Sequence, residues 1–197
     1  FSATKEAYVE WLLGQLAAVQ GPIDLVGHDW GGLLVVRAVS VRPDAVRSWA
    51  AGGAPLDREY AWHQAAKAWQ TPGMGEKVMA GLTPEVLGAA LVAAGVPAAD
   101  AATTAAHVDP TMKQCILSLY RSAVNAGVEW EDDLRRVSAP GLVLWGETDP
   151  YAAVEFGARL AEKTGARFVS FPGCSHWWQL ERPAEVAAEL GRHWAAV

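Results

Sequence analysis

Two hydrophobic rhythms alternate along the chain. Short apolar runs bounded by glycine, proline or acidic residues predict strands at Ile23–Val26, Val46–Ala51, Leu142–Trp145 and Ala166–Phe171. Stretches with apolar residues three and four apart predict helices at Leu33–Val41, Ala152–Lys163 and Pro183–Trp194. A further helix is predicted over Ser2–Val19, with Tyr8, Trp11, Leu12 and Leu16 on one face and Gly21-Pro22 as its stop signal. Strands that alternate with helices imply a mostly parallel sheet with helices on its faces. The unbroken run Leu142-Val143-Leu144-Trp145 suits a parallel strand buried on both sides.

The pattern changes in the middle of the chain. From Leu56 to Leu134 no run reads as a strand, and helical patterns cover Tyr60–Trp69, Glu76–Gly81, Pro84–Ala94, Pro97–Ala106 and Pro110–Asn125. The expected organisation is therefore an α/β core over residues 1–55, an inserted helical cap or lid over 56–135, and the rest of the core over 136–197. No internal repeat is present.

Composition narrows the function. The chain has 197 residues, 51% hydrophobic and 19% charged, which allows one sizeable core with an inserted subdomain. A net charge of −6 without a Lys/Arg block argues against nucleic acid and anionic membranes as partners. No apolar run reaches the roughly 20 residues needed to cross a bilayer, and no signal peptide is visible. Cys115 and Cys174 lack metal-ligand spacing and suggest no disulfide framework, which fits a cytoplasmic protein. No cofactor or metal is implied. The expected partners are a small apolar or aromatic substrate and water, and a homodimer is compatible with the sequence.

The candidate chemistry lies where predicted strands end. Gly27-His28-Asp29-Trp30-Gly31-Gly32 joins the first strand to the helix after it, and glycines at both ends of such a turn allow φ > 0 and close helix–strand approach. Asp29 would stand exposed at the helix N-terminus, where the dipole and main-chain N–H groups favour negative charge. The plain alternative is that Asp29 caps the helix. Asp149, in Gly146-Glu147-Thr148-Asp149-Pro150, and His176, in Pro172-Gly173-Cys174-Ser175-His176-Trp177-Trp178, each follow a later strand. Their own plain alternatives are a turn residue before proline and a histidine buried among tryptophans.

The motif GHDWGG, with GxxD and GxxHW after the later strands, resembles the nucleophile elbow, acid loop and histidine loop of α/β-hydrolases in the branch of epoxide hydrolases and haloalkane dehalogenases. The order Asp29, Asp149, His176 is the order that superfamily uses. The resemblance implies an α/β-hydrolase fold with a helical lid. It implies that Asp29 attacks an sp³ carbon to form an alkyl ester, and that a water deprotonated by His176 hydrolyses it, with Asp149 orienting the imidazole and the Trp30 N–H holding the oxyanion. It covers the later part of the family's fold. The earlier strands, and the loop with the second oxyanion N–H, fall outside this sequence, so the chain 1–197 is expected to expose an apolar sheet edge and fold poorly on its own.

The leaving group separates the two activities. Leu117-Ser118-Leu119-Tyr120-Arg121 resembles the epoxide hydrolase segment that carries the second lid tyrosine, which makes Tyr120 the proton donor to an opened ring. The position of the first lid tyrosine holds Ala65 instead, with Tyr60 and His63 as nearby substitutes. In a dehalogenase, indole N–H groups hold the departing halide, and Trp62 or Trp69 could supply one besides Trp30. His28, Trp30, Trp62, Trp69 and Trp177 are the expected substrate-binding residues. An epoxide hydrolase acting on an apolar epoxide is the leading expectation, and a haloalkane dehalogenase is the alternative. A non-catalytic binding member of the fold, or an inactive fragment, is a third; an esterase is disfavoured because esterases carry Ser or Cys at the elbow.

Overall fold

In the computed structural model, all residues from Phe1 to Val197 are described. Four strands form one sheet in the order β1 (Asp24–His28), β2 (Ser48–Gly52), β3 (Gly141–Gly146) and β4 (Arg167–Phe171). Every pairing is parallel, with His28 opposite Gly52, Gly52 opposite Leu144, and Gly146 opposite Phe171. The register brings the C-terminal ends of all four strands to one side, where open α/β sheets gather their functional groups.

Burial follows position in the sheet. Every residue of central β2 is buried, as is β3 after its first residue, whereas β1 and β4 at the edges are only partly covered. Trp49 on β2 and Trp145 on β3 are fully buried, and each indole N–H finds a carbonyl, that of Ala139 at 3.1 Å and that of Ala152 at 2.9 Å. The apolar ring bodies fill the core while their polar edges stay satisfied. Edge strand β1 leaves Val26 45% exposed.

Helices α1 (Lys5–Ala18), α2 (Trp30–Val41), α9 (Val154–Thr164) and α11 (Pro183–Ala195) match predicted ones, and α2 carries seven buried residues. The expected face of α1 is corrected. Val9 and Leu16 are buried, while Trp11 is 54% exposed. Val9 and Leu16 lie two turns apart on one stripe, and Trp11 sits about 160° around the helix from Val9. Two short helices escaped the sequence reading, α8 (Ala126–Trp130), which runs into a 3₁₀ turn over Glu131–Arg136, and α10 (Trp178–Glu181). At four and five residues they are too short to show a period.

The chain divides into two compact units, one of residues Tyr8–Tyr60 and Asn125–Val197, which holds the sheet, and one of Phe1–Ala7 and Ala61–Val124. The second is all-helical, with α3 (Gln64–Gln70), α4 (Met74–Gly81), α5 (Pro84–Ala93), α6 (Ala98–Ala105) and α7 (Pro110–Ser122). It is narrower than the expected 56–135 and includes the chain's first residues, tied in by a hydrogen bond from the Lys5 N–H to Ser122 Oγ at 2.8 Å.

Residues 57–60 and 125–135 belong to the sheet unit because a charge network fixes them there. Asp57, 3% exposed, accepts hydrogen bonds from Arg159 Nη2 (3.0 Å), Lys163 Nζ (2.9 Å) and the Glu59 N–H (2.9 Å). Glu131 pairs with Arg58 and Lys163, and Asp133 with Arg37 at 2.6 Å. Burial opposes the charge on Asp57, but Lys163, the Glu59 N–H and Arg159 outweigh it and hold its pKa below the usual carboxylate range. A depressed folded-state pKa stabilises above the unfolded value and is lost as pH falls. Asp57→Asn should therefore cost about 2 kcal/mol at neutral pH, given partners that are partly exposed, and the deficit should shrink below about pH 4. Urea unfolding of both proteins across this range measures it.

Candidate active site

The turn after β1 is built around an unusual residue. Asp29 has φ 54° and ψ −125°, a conformation that L-residues rarely adopt, and its side chain makes no capping hydrogen bond to α2. Its N–H donates to the Gly52 carbonyl at 2.9 Å, and Leu33 N–H returns to the Asp29 carbonyl at 3.1 Å. The plain role of helix cap is thus not the one that its carboxylate plays. The positive φ falls on Asp29 itself and not, as the sequence suggested, on the flanking glycines.

Those glycines serve close approach instead. A Cβ on Gly27 would overlap the Gly31 carbonyl, and one on Gly32 would come within 2.8 Å of the Ala54 side chain. Gly31 faces open space, so the glycine that matters at the helix end is Gly32.

Asp29, His176 and Asp149 come together from three strand ends. His176 Nδ1 lies 2.7 Å from Asp149 Oδ2, and His176 Nε2 lies 3.5 Å from Asp29 Oδ1. The Asp149 side chain is fully buried and that of His176 is 5% exposed, whereas 48% of the Asp29 side chain is open. One carboxylate is enclosed as an orienter; the other is accessible. Asp149 Oδ1 also accepts the N–H groups of Tyr151 (2.8 Å) and Ala152 (3.1 Å), which locks the loop after β3. Thr148 binds the Cys174 carbonyl through both its N–H and its hydroxyl at 2.9 Å, so the acid loop and the histidine loop hold one another in place.

Electrostatics follow from this enclosure. Burial disfavours the charged imidazole of His176, but hydrogen bonds and charge from Asp149 and then Asp29 overcome it and raise the pKa to about 9. Partial desolvation likewise opposes ionisation of the half-open Asp29, while His176, the main-chain N–H of Trp30 and His28 hold its pKa below the ordinary value. His176 is thus held toward its charged form by the two acids that flank it.

His28 was expected to bind substrate. Its Nε2 donates to the His176 carbonyl at 2.8 Å and its ring lies 4.5 Å from that of His176, so it ties the elbow to the histidine loop. Burial and the nearby His176 charge keep His28 neutral. Gly53, with φ 61°, lies against both rings, and a Cβ there would stand 2.9 Å from His176 Cε1. Trp177 packs edge-on against His176 at 5.3 Å, and its buried indole N–H has no partner.

Of the remaining candidates, Trp62, His63, Trp69 and Tyr120 belong to the helical unit and Tyr60 to the sheet unit. Tyr120, 8% exposed, is surrounded by Trp69 (4.8 Å), Trp62 (5.4 Å) and His63 (6.5 Å) in edge-to-face contacts. Trp62 donates its N–H to the Val124 carbonyl at 3.2 Å, which removes it as a halide donor, whereas the buried N–H of Trp69 has no partner. His63 caps α3 by accepting the Ala66 N–H on Nδ1, and Tyr60 donates its hydroxyl to the Tyr151 carbonyl at 3.1 Å. Neither therefore simply replaces the tyrosine expected at Ala65. The sequence reading overlooked Tyr151, whose ring stands edge-to-face on His176 at 5.0 Å. Its signal was its place two residues after Asp149, within reach of an Asx turn.

Comparison with known proteins agrees with this arrangement at the level of the fold. A profile of the alpha/beta hydrolase family matches residues 1–189, and the chain belongs to that family. A 2-hydroxy-6-oxo-6-phenylhexa-2,4-dienoate hydrolase from Rhodococcus sp. strain RHA1 superposes with a TM-score of 0.78 at 17% identity, covering 98% of this chain and 73% of that one. An enol-lactonase from Burkholderia xenovorans LB400 gives 0.71 at 22% identity with 98% and 73% covered, and a thermophilic esterase from Thermogutta terrifontis 0.73 at 17% with 98% and 72%. No curated protein sequence matches the chain. No helix is long and apolar enough to cross a membrane.

The raised pKa of His176 gives a direct expectation. Its imidazole should titrate near 9 by NMR, and Asp29→Asn should lower the midpoint by removing one of the two anions. Because the folded value exceeds the unfolded one, the stabilisation is complete below about pH 6.5 and is lost as pH rises through about 9.

Proposed function

We propose that this α/β-hydrolase is an epoxide hydrolase that converts an apolar epoxide to a diol through an ester on Asp29. The observation that carries the reading is the Asp29 carboxylate: strained, half-open, not used as a helix cap, and 3.5 Å from His176 Nε2. A carboxylate is already nucleophilic at neutral pH and needs no base for its attack. That suits a histidine that is protonated at rest.

Alkylation then changes the histidine. Ester formation converts Asp29 from an anion to a neutral group and removes one of the two charges that hold His176 protonated. The pKa of His176 falls, and it becomes the base that activates water for the second step. Asp149 keeps the imidazole oriented throughout, and the Trp30 N–H faces the carbonyl oxygen on which charge develops. The solved relatives named above include a hydrolase of a dienoate, an enol-lactonase and an esterase, and at their low identity they support the fold and not a substrate.

The second reading is a haloalkane dehalogenase. It is favoured by the buried, unpartnered indole N–H of Trp69, a donor suited to a halide.

Incubation with styrene oxide and with a bromoalkane, using Asp29→Ala as control, distinguishes the two. The epoxide reading predicts rapid diol formation from the first and slower but measurable halide release from the second, with both products lost in the variant. Halide release without diol selects the dehalogenase. Product formation that persists in Asp29→Ala contradicts both.

A further inference from the structure

An epoxide oxygen must be protonated as the ring opens, and the core unit itself carries a candidate for that task. Tyr151 lies two residues beyond Asp149 and stands on His176 with ring centroids 5.0 Å apart and planes at 86°. Its main chain is held from both sides. The N–H donates to Asp149 Oδ1 at 2.8 Å, and the carbonyl accepts the Tyr60 hydroxyl at 3.1 Å. The next residue is fixed as well, because the Ala152 N–H also binds Asp149 Oδ1 and the Ala152 carbonyl accepts the indole N–H of Trp145. The ring thus sits on a rigid support at the C-terminal edge of the sheet while remaining 38% exposed. Support of this kind is what a catalytic group needs to keep its geometry.

We propose that Tyr151 is the general acid that protonates the epoxide oxygen when Asp29 attacks, a role that the sequence reading gave to Tyr120 and to a tyrosine absent at Ala65. The proposal rests on the epoxide hydrolase reading. In the step, an Asp29 oxygen forms a bond to an epoxide carbon, and the carbon–oxygen ring bond breaks with its electron pair moving to oxygen. That oxygen takes the Tyr151 proton, giving the hydroxyalkyl ester and a tyrosinate. The tyrosinate regains a proton at the expense of the His176 imidazolium, which leaves His176 neutral and ready to activate water. Burial and the charges of Asp149 and Asp29 raise the phenol pKa, so Tyr151 holds its proton at neutral pH until an alkoxide develops.

The test compares ester formation in His176→Gln and in His176→Gln/Tyr151→Phe, followed by intact mass in a single turnover with styrene oxide and, separately, with a bromoalkane. Loss of the acid should slow ester formation from the epoxide by about 10²–10⁴-fold with the melting temperature unchanged. Displacement of bromide, which needs no proton, should keep its rate. An unchanged epoxide rate, or equal slowing with both substrates, overturns the role of Tyr151 while the epoxide reading stands. Absence of any epoxide ester in the single variant removes that reading, and the proposal with it.

Discussion

The structure depends on a carboxylate held in a backbone conformation that its residue type resists. A non-glycine residue at φ 54° and ψ −125° costs on the order of 1–3 kcal/mol, and such strain persists only where the surroundings over-determine it. Here they do. The Asp29 N–H is bound to β2, Gly27 and Gly32 permit the contacts that draw strand and helix together, and α2 is anchored by seven buried residues. The turn cannot relax without displacing a helix from the sheet. The strain lifts the carboxylate away from ordinary capping and toward His176.

Charge accounts for the rest of the site. The parallel register brings the ends of β1, β3 and β4 together, so that one imidazole meets two carboxylates of opposite accessibility. The buried Asp149 is engaged by His176 and two N–H groups, which makes it a fixed orienter. In the proposed reaction Asp29 is the variable partner, because its exposed carboxylate is the one that would be alkylated and lose its charge. Under that proposal the asymmetry would couple the first chemical step to the protonation state needed for the second.

Much of this was legible in the sequence. All four strands were recognisable because apolar runs bounded by turn residues survive burial in a parallel sheet, and the three candidate residues were recognisable because each follows such a run. Local geometry was less so. GHDWGG suggested glycine conformations, but positive φ settled on Asp29, an outcome set by hydrogen bonding to β2 that no one-dimensional pattern encodes. The hydrogen bond from His28 to the His176 main chain was not legible, because it spans 148 positions. The limits of the helical unit were misplaced for a similar reason: Asp57 and Glu131 reach Arg159 and Lys163, far away in sequence. Tyr151 is hard to find in the sequence because its one signal, a place within an Asx turn after Asp149, shows where the chain bends and not that its ring stands on His176.

The most direct measurement of the central claim is a single turnover of excess enzyme with an epoxide in heavy-oxygen water. If Asp29 forms the ester, the first diol leaves with an unlabelled carboxylate oxygen, and the peptide containing Asp29 acquires the heavy isotope. Heavy oxygen in the first diol with none in Asp29 would mean direct attack by water, and would contradict the account.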